Sequence, residues 1–547
     1  MQIQDFILFL LFLAAVLFLL FSCKWNVAKY NNKWRIFYLI PVIICIVHGL
    51  LTGVEWCLSG IYLGGLLMLC GYLWATVSVR KKCALATIIL SVMTVPVCFV
   101  SNHYRTASYL ADFENGFDVM KEHYSLSKHK QVDWDALYEE YHPLFEQVDQ
   151  KQDAAGNFTT WIQFCNEFYD SHTTYTPTVA SEEDLEEKKQ ASIESVVGND
   201  YGLSMVQLAT GEYVAVSVAE NSQAAQAGIH TGTIITKWDG KEIQELLPTA
   251  LEHMRKSMIV GNVENENFYQ CLYVPGIGGE QVQVTFRNEN GQEKTVTLDT
   301  IGSYYKRLME TYDCLIYKTP RENMGVVELN ENTILLNVNM MAYNSEATKN
   351  ANYTSMQSQI REQLIFFHEK GASHLIIDLR KNGGGSSMMA RAIVSLLAEG
   401  EIFWAEDGAY NEETGEYEIR KEYSLTGENL WEGGKIIVLV NSGSNSAANH
   451  LMAGIKRLDN VTIMGITEAA GTAQGVGDVM LKHGNFCFSK TWVLDENGEI
   501  WVDSNESGHC RLLVDEKIPL TKEAVVKMFD EKSDYVLDYA VEAFERK

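Results

Sequence analysis

Ser446 stands where a serine would gain most as a nucleophile. It follows the apolar run IIVLV of residues 436–440 and a Gly/Ser/Asn elbow, and precedes a stretch in which Leu451, Ile455 and Leu458 recur at helical spacing. A helix tip there offers unpaired N–H groups and the positive end of the helix dipole. Both favour the negative charge of a tetrahedral acyl-transfer intermediate. A plain strand-to-helix turn in an α/β domain is the alternative. One βα unit earlier, the run HLIIDLR leads into KNGGGSS, residues 381–387. Three glycines at the carboxyl end of a parallel strand leave bare backbone amides where ligands bind in α/β sheets, which is what an oxyanion hole needs. Taken alone, that segment could equally be a tight turn.

The surrounding pattern supplies the elements that would position these residues. From about residue 333 the chain reads strand, long helix, strand, helix, strand, and HLIIDLR and KIIVLV are too continuously apolar for a one-faced sheet. Residues 103–178 read as helical, with Trp134, Leu137 and Tyr141, then Trp161, Phe164 and Phe168, forming one apolar stripe per helix. SEEDLEEKKQAS, residues 181–192, reads as a solvated linker or exposed helix. Short alternating strands follow, EYVAVSV and then VQVTF and KTVTL joined by an Asn-Glu-Asn-Gly hairpin signal. They make a small β-rich domain.

Charge divides the 547 residues. Residues 1–101 hold seven Lys/Arg against two acids, so the other 446 carry −32 of the total −27, a poor balance for binding nucleic acid. Four apolar runs, about residues 6–23, 36–54, 57–79 and 83–101, approach the roughly 20 residues that span a bilayer. They predict four transmembrane helices forming an anchor in contact with the lipid bilayer. Lys24, Lys29, Lys33 and Arg35 fill the first loop and Arg80, Lys81 and Lys82 the third. Basic loops inside put everything after about Ser101 outside the cell membrane, a multi-pass protein with an extracytoplasmic catalytic domain. Cys165, Cys271, Cys314, Cys487 and Cys510 are scattered and lack a Cys-x-x-Cys pair, so no disulfide framework and no zinc site is implied.

Four motifs in order resemble peptidase family S41, the serine peptidases that include the tail-specific C-terminal processing proteases and the tricorn core protease. DLRKNGGG is similar to the family's D-L-R-x-N-x-G-G signature, and SNSAANHLMAG to its nucleophile helix. NSQAAQAGIHTGTIITKWDGKEI resembles the PDZ part, and FYDSHTTYTP resembles L-x-D-x-H-T. The resemblance spans about residues 115–545. It implies an α/β chain of four parts: transmembrane helices at 1–101, a helical segment at 102–192, a PDZ-like β domain at 193–300, and an S41 (ClpP/crotonase-like) α/β protease domain at 301–547.

One departure bears on mechanism. Processing proteases of the Ser/Lys type place a lysine about 25 residues after the nucleophile, and Thr472 stands there in this chain. The tricorn-like branch instead resembles a Ser-His-Ser-Glu arrangement, which maps onto Ser446, His172, Ser171 and, through the looser segment NESGHCRLLVDEKIPL, Glu506. A neutral imidazole can take the serine's proton and return it to the leaving amine, with a third group fixing its tautomer. The resemblance makes the amides of Gly385, with Gly384 next, and Ala447 the oxyanion donors. It makes Tyr201, Gly202 and Leu203 part of a peptide-carboxylate loop. Each residue has a plainer alternative: His172 as a satisfied polar side chain, Ser171 as a turn cap, Glu506 as one more surface acid. Ser442 and Ser444 are alternative nucleophiles, and Lys482 and Lys490 alternative bases. The function implied is a membrane-anchored serine endopeptidase acting on extracytoplasmic proteins or peptides without metal or cofactor. The competing expectations are a catalytically inactive S41-like peptide-binding protein and a membrane sensor or transporter.

Overall fold

The computed structural model describes Ile40, Ala86, Thr87 and residues 108–546 apart from 179–180, 343–352 and 412. The chain divides into two compact units, Met1–Asp112 and Phe113–Lys547. Of the first, only Ile40, Ala86, Thr87 and residues 108–112 are described.

The expected four transmembrane helices are corrected, because no helix among the described residues is long and apolar enough to cross a membrane. The longest, Trp134–Lys151, has 18 residues but carries Asp135, Glu139, Glu140, Glu146, Asp149 and Lys151, and each such charge is costly in hydrocarbon. The apolar runs of residues 1–101 lie almost wholly outside the described residues. The multi-pass placement, the bilayer contact and the extracytoplasmic assignment all rested on those runs and fall with them.

In the second unit, six strands form the central sheet. Its order is Gly325–Asn330, Thr333–Asn337, His374–Asp378, Lys435–Leu439, Val461–Gly465 and Glu516–Lys517. The first pair is antiparallel and the rest are parallel. Alternation along these strands sends Leu335, Ile376, Ile437 and Met464 into one core, and Ile334, Leu336, Leu375, Ile377, Ile436, Val438 and Ile463 into another. Both faces are buried, which explains why the strands read as unbroken apolar runs. The second core also holds residues of the helices Tyr353–Glu369, Ser387–Leu397 and Ala447–Ile455, and the first holds those of Lys522–Phe529 and Tyr535–Ala543.

The first core continues without a break into the small β domain. That domain is an antiparallel sheet in the order Ser204–Gln207, Tyr213–Val216, Ile234–Trp238, Gln281–Arg287, Glu293–Asp299. The acidic stretch at 181 is an exposed helix, Glu182–Val197, begun by the Ser181 side chain accepting from Asp184 N–H. A feature with no sequence signal recognised above is a long ribbon, Glu399–Asn411 against Glu416–Glu428.

The N-terminal helices Tyr109–His123, Trp134–Lys151 and Ala154–Asn166 meet in an aromatic cluster. Phe113 stacks on Phe145 at 4.3 Å, and Trp161 lies 4.9 Å from Tyr175 and 4.8 Å from Phe486. Tyr175 and Phe486 belong to Thr174–Pro177 and Gly484–Ser489, which pair with each other and, through the latter, with Val476–Met480. This packing brings the turn at Asp170 to His172 against the loop at Thr472 to Gln474.

Candidate active site

His374–Asp378 and Lys435–Leu439 are adjacent and parallel, so the loops leaving their carboxyl ends run side by side. Side chains stitch the two loops together. Ser444 Oγ donates to Leu379 O at 2.8 Å, Asn445 N to Asn382 O at 2.9 Å, and Lys381 N and Gly443 N each to Asn441 Oδ1 at 3.0 Å. Behind them the buried Arg380 guanidinium bridges Asp378 at 2.8 Å and Asp534 at 2.6 Å.

Ser446 is the N-cap of Ala447–Ile455 and has φ +54° and ψ −120°, a sparsely populated conformation for a non-glycine residue that costs about 1–3 kcal/mol. Its N–H is within reach of Asn445 Oδ1 at 2.7 Å and Thr472 O at 3.0 Å. Gly384, at φ +102°, lies flush against it: a Cβ at Gly384 would sit 2.5 Å from Ser446 Cβ and 3.1 Å from Ala447 N. Gly384 N–H already donates to Asn382 Oδ1 at 2.9 Å. The amides of Gly385 and Ala447 have no acceptor among the described residues. Of the three expected oxyanion donors, those two are open, and Gly384 supplies room.

On the other side, Asp170 shapes the turn that carries Ser171 and His172. Its carboxylate accepts from His172 N at 2.9 Å, Thr173 Oγ1 at 3.0 Å and Tyr124 OH at 3.1 Å. Ser171 Oγ reaches Asn445 Oδ1 at 3.0 Å and Thr472 Oγ1 at 2.8 Å, and Ser171 N donates to Thr472 Oγ1 at 3.2 Å. Ser171 thus meets the residue before Ser446 directly, and Thr472 takes part where the Ser/Lys type would place lysine.

His172 is buried, with its ring beside the backbone carbonyl of Gln474. Burial pushes its pKa below 6.5, against the opposing pull of Asp170 and the Gln474 carbonyl. Its Nδ1 is buried and has no partner among the described residues, and no hydrogen bond joins the ring to Ser446 Oγ. Resting sites are often looser than the reacting complex. A second imidazole, His450, lies one helical turn beyond Ser446, with Nε2 2.6 Å from Ala473 O. Burial first, then His172, pushes it down to about 4, partly offset by the Ala473 carbonyl.

Glu506 is exposed in a turn after Asn505, and its charge acts on His129; the carboxylate that acts on His172 is Asp170. Sequence reasoning missed Asp503. It is buried, with carboxylate oxygens 2.6 Å from Gln474 Nε2 and 3.2 Å from Ala473 N. Burial and the nearby Asp170 push it up to about 7, while Lys130 opposes them. An acid directly after the apolar pair Trp501 and Val502 was the available signal.

Tyr201, Gly202 and Leu203 are buried in the small β domain. Gly202 N–H donates to Asp200 Oδ1 at 2.8 Å, and Tyr201 OH to Gly279 O at 2.6 Å. Among the described residues no cluster could hold a metal ion.

Residues 334–492 match the model of peptidase family S41, and residues 105–155 that of the tricorn protease C1 domain. No curated protein matches. Among solved structures, mature CPAF complexed with lactacystin is similar at 11% identity and TM-score 0.48, over 80% of this chain and 99% of that one. The photosystem II D1 C-terminal processing protease is similar at 16% and 0.32, over 78% and 98%. The tricorn protease is similar at 13% and 0.34, over 80% of this chain and 36% of that one. The assignment rests on the family matches: the chain is a serine-type peptidase, with an S41 peptidase domain over residues 334–492 and a tricorn C1 domain over residues 105–155.

Proposed function

We propose that this peptidase is an endopeptidase that cleaves proteins or peptides by an acyl-enzyme route, with Ser446 as nucleophile and His172 as general base. Ser446 Oγ attacks the scissile carbonyl carbon as its proton passes to the imidazole. The carbonyl oxygen becomes an oxyanion facing the Gly385 and Ala447 amides. The imidazolium then protonates the leaving amine, and water, activated by the same ring, hydrolyses the ester. Ser171 orients the base side by tying its turn to Asn445 and Thr472. This route uses no metal or cofactor.

The observation that carries the proposal is the conformation of Ser446. A strained N-cap serine pressed against Gly384, with the open Ala447 amide next in the chain, is a costly placement of the kind kept at reacting sites. Residues 102–192 would carry the base, 193–300 would serve as a PDZ-like module for extended peptide, and 301–547 would hold the nucleophile. Within that module the loop at Tyr201, Gly202 and Leu203 would admit a carboxylate only after Gly202 N–H releases Asp200.

Hydrolysis of an unstructured protein substrate tests this. Ser446→Ala and His172→Ala should each lower kcat by at least about 10⁴-fold. Wild-type rates in Ser446→Ala would end the proposal, and an inactive peptide-binding protein would show no turnover in the parent chain.

A further inference from the structure

The expected partner of the base, Glu506, is on the surface, so some other group must hold the imidazole in place. A carboxylate does reach the site, through the backbone. Asp503 accepts from Ala473 N at 3.2 and 3.3 Å and from Gln474 Nε2 at 2.6 Å, while Gln474 Oε1 accepts from Val493 N at 2.6 Å. The peptide unit whose N–H points to Asp503 is the one whose carbonyl, Thr472 O, accepts the Ser446 N–H at 3.0 Å. The next carbonyl, Ala473 O, holds His450 at 2.6 Å, and the Gln474 backbone lies beside the His172 ring. One carboxylate therefore fixes the segment that accepts the Ser446 N–H and runs beside the His172 ring.

The residue after that carboxylate is anchored from the N-terminal helical segment. Lys130 Nζ, on a buried side chain, donates to Ser504 O at 2.6 Å and Ser504 Oγ at 2.8 Å, and reaches Tyr169 O at 3.3 Å. Ser504 Oγ in turn lies 2.7 Å from Tyr169 O, just before Asp170. The charged or titratable groups around Asp503 are Asp170, Lys130, Tyr124, Cys510 and His129, whose Nε2 lies 3.3 Å from Asp503 O, with His172 and His450 beyond the Gln474 peptide. Lys130 supplies the positive charge against two carboxylates.

We propose that Asp503, balanced by Lys130, is the positioning carboxylate of this site, holding Ser446 and His172 in register through the Thr472, Ala473 and Gln474 backbone. The proposal rests on the Ser446 and His172 reading above. Asp503 touches neither reacting atom. It works by removing freedom from the segment on which both sit, and a misplacement of about 1 Å at such a site costs on the order of 10²-fold in rate.

The test uses the full chain, with peptide hydrolysis across pH and the rate of fluorophosphonate labelling of Ser446 as readouts. Asp503→Asn should lower kcat about 10–100-fold with KM little changed, slow labelling in proportion, and move the acid limb of the kcat profile. Because a lone buried Lys130 would endanger folding, the double variant Lys130→Met/Asp503→Asn removes both charges together. It should unfold in urea near the parent's midpoint yet keep the kcat loss. Gln474→Ala should show the same pattern. Parental kcat and pH profile in a folded Asp503→Asn or double variant would overturn the proposal. Full activity in Ser446→Ala or His172→Ala would instead overturn the reading beneath it.

Discussion

Ser446 holds φ +54° only because its neighbours leave it no other place: Thr472 O takes its N–H, and Gly384 closes over its Cβ. A methyl group at Gly384 would lie 2.5 Å from Ser446 Cβ and would also have to accept φ +102°. Gly384→Ala should therefore cost about 1–3 kcal/mol of stability and nearly all activity. A variant with parental kcat and melting temperature would show that the close approach is unimportant. The proposed base has its own signature. Because the folded pKa of His172 lies below its ordinary 6.5, the neutral, proton-accepting form persists below that pH. The acid limb of kcat/KM should fall below pH 6.5, and a limb at or above 6.5 would contradict the assignment. NGGG and SNSAANH were legible at this scale because each is local, a few residues whose types state their backbone needs. Asp503 was not, since its partners Lys130 and Gln474 lie hundreds and tens of positions away.

At the scale of elements, two parallel strands set the spacing of the loops that carry Ser446 and Gly385, and a buried ionic cluster locks the end of one strand. Arg380 joins Asp378, at the tip of His374–Asp378, to Asp534, which caps Tyr535–Ala543 by accepting from Leu537 N. Arg380→Met would leave the buried Asp534 without its ion-pair partner and Asp378 with only Lys318, 3.9 Å away. It should cost about 3–5 kcal/mol, measured by urea unfolding, with activity lost in step because the glycine loop begins at the next residue. A change below about 1 kcal/mol, within the range of an exposed ion pair, would mean that the cluster is not holding the strand tip. The strand, helix and hairpin pattern was readable because both sheet faces are buried and turns such as Asn-Glu-Asn-Gly have their own chemistry. The ribbon at Glu399–Asn411 and Glu416–Glu428 escaped because its strands are polar, partly exposed and Gly-interrupted, so neither period stands out.

Across the whole molecule, the site exists only when distant segments meet: His172 from the turn after the N-terminal helices, Gly385 and Ser446 from two sheet loops, and Asp503 from the C-terminal region. The apolar runs of residues 1–101 lie almost wholly outside the described residues, and no helix among the described residues is long and apolar enough to cross a membrane. The DLRKNGGG and SNSAANHLMAG motifs, both inside the matched residues 334–492, were a better guide, since each demands a different local geometry. The most direct measurement is mass spectrometry of the native chain after a fluorophosphonate probe, beside Ser446→Ala and His172→Ala and after denaturation in urea. The account predicts a single adduct on Ser446 that is formed only by folded chain, absent in Ser446→Ala and slowed by orders of magnitude in His172→Ala. An adduct on Ser442 or Ser444, or labelling at Ser446 that proceeds unchanged without His172, would contradict it.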